Sequence, residues 1–235
     1  MLLLGIDSSG RQGSVALLAT GLESGGDELR LLGLEMLAGR RYSEVMLPAI
    51  VGLLERHGFA KNELGLIGVA AGPGSFTGLR VGIATVKGLA EVWATPVVAV
   101  SVLEAIALRS GAQGRVLAAL DAQRSELFFG EYEIAAGTAK KLGEDVAAVA
   151  DFVAKMKANA ERVVTPDATL GARLEEAGIA AEVIAAPTAE DIARIAYRRF
   201  LAGERADLTA LDANYLRRSD AELFSAPKLG IPPRS

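Results

Sequence analysis

The chain has 235 residues, of which 51% are hydrophobic and 23% charged, and its formal net charge is −4. This composition excludes a disordered chain and allows one large core or two smaller ones. The acidic balance argues against a protein that holds nucleic acid alone, because phosphate contacts need clustered lysine and arginine.

The chain contains no cysteine, which excludes a thiol nucleophile, disulfides and cysteine-bound metals. Its single histidine, His57, precedes Gly58 at a predicted helix end, where contact with the helix dipole is an ordinary role. The N-terminus has no basic start, and the most apolar long stretch, 81–108, is interrupted by Lys87 and Glu91. We therefore expect a soluble, cytoplasmic protein without a signal peptide or membrane span.

The first half of the chain is predicted to follow the order β-β-β-α-β-α-β-α. Turn residues and capping signals place these elements at 2–7, 14–20, 29–37, 43–57, 66–71, 77–94 and 96–100, with a short helix after Ser101.

A weaker second copy follows, because the apolar run 116–121 ends in Asp121 as the run 2–7 ends in Asp7. Its remaining elements are predicted as a strand at 127–134, a helix at 144–157, a strand at 162–165, a helix at 168–178, a strand at 181–185 and a helix at 189–203. The pattern predicts an α/β protein of two ribonuclease-H-like lobes, with mixed sheets and flanking helices. We assign 1–110 to an N-terminal lobe with partner-binding helices and 111–235 to a degenerate C-terminal lobe, whose tail after 208 is expected to be poorly ordered apart from YLRR.

The segment AGPGSFTGLR, residues 71–80, is a glycine-rich connection between a predicted strand and a predicted helix. Glycines allow close backbone approach, and a helix N-terminus supplies free N–H groups with partial positive charge. The segment lacks the Walker Gly-Lys-Ser/Thr and departs from the dinucleotide G-x-G-x-x-G pattern. Two interpretations stay open: a tight turn that needs glycine for geometry alone, or an anion or nucleotide site built from Asp7, Ser8, Ser9, Gly72, Gly74, Ser75 and Arg80.

The helices predicted at 43–57 and 77–94 are apolar around most of their circumference, which is more than one core face requires. Each would then be buried on two sides, against its own sheet and against a second cover. We predict that a partner protein supplies that cover, and the alternative is burial between the two lobes. The predicted contact residues are Val45, Met46, Ala49, Ile50, Leu53, Leu79, Gly82, Ile83, Val86 and Ala90.

The segment 71–90, AGPGSFTGLRVGIATVKGLA, resembles the signature of the bacterial TsaB family, also called YeaZ. Further matches are GIDSS at 5–9, RRYSEVMLPAI at 40–50, PVVAVSVLEAIA at 96–107, ALDAQRSELFFGEY at 119–132 and NYLRR at 214–218. The resemblance implies a fold of the actin-like ATPase superfamily and a non-catalytic subunit. It implies pairing with a TsaD-like paralogue and a TsaE-like ATPase, for threonylcarbamoyl transfer to adenosine 37 of tRNAs that read codons beginning with A.

The resemblance also implies that the partner binds the helices at 43–57 and 77–93, and that the chain forms a homodimer through this surface when alone. It implies tRNA contact only through the complex, no membrane contact, and no cofactor of its own, with ATP or ADP at the junction of the complex. TsaD relatives carry two metal-binding histidines on the first helix. This chain has only His57 near the end of that helix, and Tyr42 stands where members usually have His, so no metal site is expected.

Two other function classes stay open from the residues alone. An ATP-dependent small-molecule kinase would need Asp7 or Asp121 as a base, although both also suit turns at strand ends. A peptidase acting on its own would need a nucleophile or zinc motif that the sequence does not display. A stand-alone tRNA-binding module is disfavoured by the acidic charge.

Overall fold

The computed structural model describes residues 1–21, 29–37, 41–156, 163–214 and 216. The described residues of the first half form five strands and three helices, with a single 3-10 turn among them at Lys61–Glu63. Their bounds are β1 (Leu2–Asp7), β2 (Gly13–Thr20), β3 (Leu29–Leu37), α1 (Tyr42–Arg56), β4 (Leu64–Gly72), α2 (Phe76–Trp93), β5 (Val97–Ser101) and α3 (Val102–Arg109). Every element predicted for this half is present, with its ends shifted by no more than two residues.

The second half also contains five strands and three helices in its described part. They are β6 (Gly114–Gln123), β7 (Glu126–Ala135), β8 (Thr138–Ala148), α4 (Val149–Met156), β9 (Val163–Thr165), α5 (Ala168–Glu176), β10 (Ala181–Val183) and α6 (Ala189–Leu201). Of the predicted YLRR segment, Tyr215, Arg217 and Arg218 lie outside the described residues.

The two halves form two sheets of the same design. The first has the strand order β3-β2-β1-β4-β5 and the second the equivalent order β8-β7-β6-β9-β10. In each sheet three strands form an antiparallel meander, and the following two strands add in parallel. This repeat confirms the predicted α/β fold of two ribonuclease-H-like lobes.

The layers follow from how the apolar side chains alternate along the strands. Leu2, Leu4 and Ile6 of β1 face α1 and α2, whereas Leu3 faces the opposite side of the sheet. On that side α3 and α6 lie between the two sheets, and α4 and α5 cover the outer face of the second sheet. The described residues therefore form five layers, with three separate apolar cores.

Helix α6 follows the second sheet in sequence but packs on the first. It contacts β1, β2 and β4, and two strand glycines allow the close approach. A Cβ atom at Gly68 would lie 2.7 Å from the Cβ of Ala196, and one at Gly5 would overlap the Ala189 carbonyl. The sequence assignment of 111–235 to the second lobe remains a prediction, but by its contacts α6 belongs to the layer between both sheets.

Two expectations for the second half are wrong. Residues 144–148 were predicted as helix but continue β8, because Val146 and Asp145 pair with Phe128 and Phe129 of β7 and complete the meander. The segment after residue 208 is ordered as far as it is described, since Leu211 and Ala213 are buried in the core under α1 and α2. Tertiary contacts override local propensity in both places.

Candidate functional site

The turn after β1 holds a buried carboxylate. One carboxylate oxygen of Asp7, Oδ1, accepts hydrogen bonds from the Ser9 N–H at 2.8 Å and the Ser9 hydroxyl at 2.6 Å. Burial raises the pKa of Asp7, the two bonds from Ser9 oppose this shift, and the charge of Asp191 adds to it. The arrangement is an Asx-type turn in which Ser9 satisfies the carboxylate.

The glycine-rich loop contacts this turn directly. The backbone N–H of Ser75 donates to the Ser9 carbonyl at 2.6 Å, and the Ser8 hydroxyl donates to the Gly78 carbonyl at 2.8 Å. A Cβ atom at Gly74 would lie 2.5 Å from the Ser9 carbonyl oxygen, and one at Gly78 would overlap the carbonyl oxygen of Ser8. The glycines therefore allow α2 to contact the hairpin of β1 and β2.

The predicted anion-site residues are distributed over three environments. The contact between the turn after β1 and the glycine-rich loop is here called the joint. It brings together Asp7, Ser8, Ser9, Gly74 and Ser75. Ser75 also caps α2, since its hydroxyl accepts from the Gly78 N–H at 3.3 Å.

The other two predicted residues have different surroundings. Gly72 lies at the end of β4, where its backbone neighbours Asn214. Arg80 is exposed, and its guanidinium stacks 3.8 Å above the ring centroid of Phe76. Nucleotide binding by this group stays a prediction.

Tyr42 is buried at the start of α1 and joins the same assembly. Its hydroxyl donates to the Gly10 carbonyl at 2.8 Å, and a Cβ atom at Gly13 would lie 2.7 Å from its ring. Tyr42 thus anchors the turn between β1 and β2 to the first helix. No group of three histidine, cysteine, aspartate or glutamate side chains that could hold a metal occurs among the described residues.

The second aspartate predicted at a strand end, Asp121, is also part of a turn. Its two carboxylate oxygens accept from the backbone N–H of Gln123 at 3.1 Å and from its side-chain amide at 2.8 Å. Both aspartates that sequence reasoning considered as bases are therefore hydrogen-bonded by the residue two positions later.

The predicted partner residues are mostly in the wrong position for contact. Nine of the ten are buried in the core between the helices and the first sheet, and Val45 is half-buried. The helices are apolar on both sides, and sequence periodicity alone did not indicate which side faces the sheet. The exposed apolar or small residues on the opposite side, here called the α1–α2 face, are Leu47, Val51, Ala84, Gly88 and Val92.

A polar cluster between the sheets was not predicted. The buried carboxylate of Glu144 on β8 accepts from the hydroxyls of Ser101 and Tyr132 and from the Asn214 amide at 3.0 Å. The Asn214 N–H also donates to the Ala71 carbonyl at 2.6 Å, beside the glycine-rich loop. We call Ser101, Tyr132, Glu144 and Asn214 the interlobe cluster. Its members are far apart in sequence, so no local motif signals it.

A second buried carboxylate lies near the interlobe cluster. Glu104 on α3 forms an ion pair with Arg199 of α6, whose guanidinium also donates to the Ala99 carbonyl at 3.1 Å. Burial raises the pKa of Glu104 to about 7, Arg199 opposes this shift, and the negative charge of Glu144 adds to it. Burial and the same carboxylate of Glu144 also raise the pKa of Tyr132.

The chain matches the sequence model of a known protein family. Residues 36–217 match the family model described as TsaD: tRNA N6-adenosine threonylcarbamoyltransferase.

Among the helices in the described part of the chain, none is long and apolar enough to cross a membrane.

Three relatives share the name tRNA threonylcarbamoyladenosine biosynthesis protein TsaB. The Bacillus subtilis protein is 30% identical over 189 residues, which cover 78% of this chain and 82% of the relative. The Escherichia coli protein is 33% identical over 57% of this chain and 55% of the relative. The Haemophilus influenzae protein is 35% identical over 55% and 52%, so the match spans about half the length of these last two relatives.

Two solved structures from Pseudomonas aeruginosa have the same fold over almost their whole length. One is described as an uncharacterized protein with similarity to peptidase YEAZ, and it is 31% identical with a TM-score of 0.74, covering 92% of this chain and 99% of that chain. The other is described as YeaZ, with 30% identity, the same TM-score and coverages of 91% and 99%. Sequence and structure together show that the chain belongs to the TsaB (YeaZ) family.

Proposed function

We propose that this chain is a non-catalytic subunit in tRNA threonylcarbamoyladenosine biosynthesis, and that it pairs with a TsaD-like paralogue. The names of its relatives and the match to the TsaD family model support the pathway. In this proposal the TsaD-like partner transfers the threonylcarbamoyl group to adenosine 37 of tRNAs that read codons beginning with A. A TsaE-like ATPase joins the pair, and ATP or ADP is held at the junction of the complex.

The observation that carries the proposal is the α1–α2 face. Val92 is 78% exposed and Leu47 is 48% exposed, although both are large apolar residues in well-formed helices. Leu47 and Val51 are one helical turn apart on α1, as are Ala84, Gly88 and Val92 on α2. Adjacent helices that present an apolar stripe with small residues suit packing against helices of another protein.

The joint of the hairpin and the glycine-rich loop supports a non-catalytic role. A kinase needs a base that can reach its substrate and backbone N–H groups that can reach phosphate. Here the Asp7 carboxylate is buried and bonded to Ser9, and the N–H groups of Ser75 and Gly78 bond to oxygens of the same chain. These groups stabilise the joint that positions α2.

The experiment mixes the purified chain with the TsaD-like protein of the same organism and measures mass by light scattering on a sizing column, with and without ATP. We expect a one-to-one complex that Val92→Asp and Leu47→Asp abolish. Leu142→Asp is the matched control, because Leu142 is also 48% exposed but lies on β8 of the second sheet. Absence of a complex under all conditions, combined with ATP turnover by the isolated chain that Asp7→Ala removes, would instead support an enzyme.

A further inference from the structure

A small cavity opens between α3 and α6, in the layer that separates the two sheets. Its volume is about 130 Å³. We call this space the α3–α6 cavity. Two of the side chains that line it are apolar and four are charged, namely Leu108 and Ile195, and Arg109, Asp191, Arg194 and Arg198.

The charged residues of the α3–α6 cavity carry an excess of positive charge. Three arginines accompany one aspartate, although the whole chain has a formal net charge of −4. The Asp191 carboxylate is already occupied, because its Oδ2 accepts from the Thr188 N–H at 2.8 Å and from Nη1 of Arg109 at 2.9 Å. Asp191 therefore caps α6 and orients Arg109, and one carboxylate does not neutralise three guanidinium groups.

Backbone carbonyl groups hold two of the arginines in place. Nε of Arg109 donates to the Ala185 carbonyl at 3.1 Å, and Nη1 of Arg194 donates to the Leu29 carbonyl at 3.0 Å. Arg194 also pairs with Glu190, one turn earlier on α6, at 2.9 Å. Side chains that are ordered beforehand lose less conformational entropy when a ligand binds, so these contacts favour binding.

Arg198 has the least compensated charge of the three arginines. Its guanidinium donates to the Gly137 carbonyl in the turn between β7 and β8, and within the described part of the chain it forms no ion pair. It follows Arg194 by one helical turn, and like charges at this spacing destabilise a helix. A guanidinium has five N–H donors, and those on Nη2 of Arg109 and on Nε and Nη2 of Arg198 have no acceptor among the described residues. An anion between these side chains would accept hydrogen bonds from them and offset the repulsion.

The size of the cavity and its donors limit the kind of ligand. Drug-sized ligands occupy pockets of about 300–1,000 Å³, so this cavity admits only a small ion or one terminal group of a larger molecule. Guanidinium groups match the oxygens of carboxylate and phosphate, and a phosphate has enough oxygens to accept from several of them at once. We propose that the α3–α6 cavity binds a single phosphate group through Arg109, Arg194 and Arg198. This site goes beyond the proposed function, because it requires no partner and lies on other helices than the α1–α2 face.

The experiment titrates inorganic phosphate into the isolated chain in a calorimeter, with chloride keeping the ionic strength constant. We expect saturable binding at one site with a dissociation constant below about 1 mM. Arg198→Gln and Arg194→Gln should each raise this constant about tenfold, because each removes a charged hydrogen-bond donor. Arg173→Gln is the matched control, since Arg173 is an exposed arginine of α5 outside the cavity and should leave the constant unchanged.

Further measurements separate loss of the site from loss of the fold. The melting temperature in chloride alone should be the same for Arg198→Gln and Arg173→Gln, and Arg198→Gln should still form the complex with the TsaD-like protein. Arg198→Lys keeps the charge but loses the planar fork, so its dissociation constant should lie between those of the wild type and Arg198→Gln.

A competition experiment identifies the source of the phosphate group. A short RNA oligonucleotide that displaces inorganic phosphate would identify the RNA backbone as the source, and phosphate binding that RNA leaves unchanged would identify a small phosphorylated compound. Absence of saturable binding below about 1 mM, equal affinity of Arg198→Gln and the wild type, or an equal loss in Arg173→Gln would overturn the inference.

Discussion

The backbone N–H of Ser75 donates a 2.6 Å hydrogen bond to the carbonyl oxygen of Ser9, so the residue that caps α2 is held by the turn after β1. The glycine-rich loop therefore forms a joint between two elements of its own lobe. Its glycines are required where α2 contacts the hairpin, and this joint orients the helix that carries part of the α1–α2 face.

The closest contact of the joint predicts that alanine substitutions at two glycines of α2 change the unfolding free energy in opposite directions. Gly78→Ala places a methyl group against the Ser8 carbonyl oxygen, which is backbone and cannot move aside, and we expect a loss of about 1–3 kcal/mol in unfolding free energy. Gly88→Ala is the control, because nothing lies within 4 Å of its added Cβ and alanine favours the helix by about 0.5–1 kcal/mol. Urea denaturation measures both, and equal stability of the two variants would contradict the packing described for Gly78.

The division of α2 into a buried and an exposed side predicts how charges are tolerated. Ile83→Asp on α2 and Leu53→Asp on α1 would each bury a carboxylate, and we expect losses of more than about 3 kcal/mol. Val92→Asp is expected to change the stability of the isolated chain by no more than about 0.5 kcal/mol. Thermal unfolding measures these effects. Similar melting temperatures for Ile83→Asp and Val92→Asp would refute the assignment of a buried and an exposed side to α2.

The interlobe cluster predicts that the side-chain amide of Asn214 contributes strongly to the unfolding free energy. Asn214→Ala removes the bond to the buried Glu144 carboxylate, and we expect a loss of about 1.5–3 kcal/mol. Asn214→Asp has nearly the same shape but places a second carboxylate beside Glu144, so the loss at pH 8 should exceed that of the alanine variant. Urea denaturation at pH 8 tests the order, which would be reversed if the contribution of Asn214 were only its volume.

The raised pKa of Glu104 predicts that the stability of the fold depends on pH. Its pKa is raised from 4.5 to about 7 in the folded chain, so between these values the folded state binds more protons than the unfolded state. The free energy of unfolding should therefore fall as pH rises from about 4.5 to about 7, by up to about 3 kcal/mol from this group. Glu104→Gln should flatten the curve of melting temperature against pH over this interval, and an unchanged slope would show that other groups cause it.

Only part of the candidate site could be predicted from the sequence. The contiguous motifs placed Asp7, Ser8, Ser9 and Ser75 correctly at the ends of β1 and of the glycine-rich loop, because turn chemistry depends on neighbouring residues. The predicted contact residues lie mostly on the buried sides of α1 and α2, and contact of a partner with these two helices stays a prediction. An apolar helix has the same periodicity whichever side faces the sheet, so only packing distinguishes Ile83 from Val92.

The sequence by itself determined the order of the elements in the first half, the repeat of two similar lobes and the family, since each is encoded in local patterns. Tertiary structure alone decided that residues 144–148 form a strand, that α6 packs on the first sheet and that Asn214 bonds to Glu144. These features depend on contacts between residues separated by tens of positions. Their energies come from shape and hydrogen bonding between surfaces that a linear pattern does not specify.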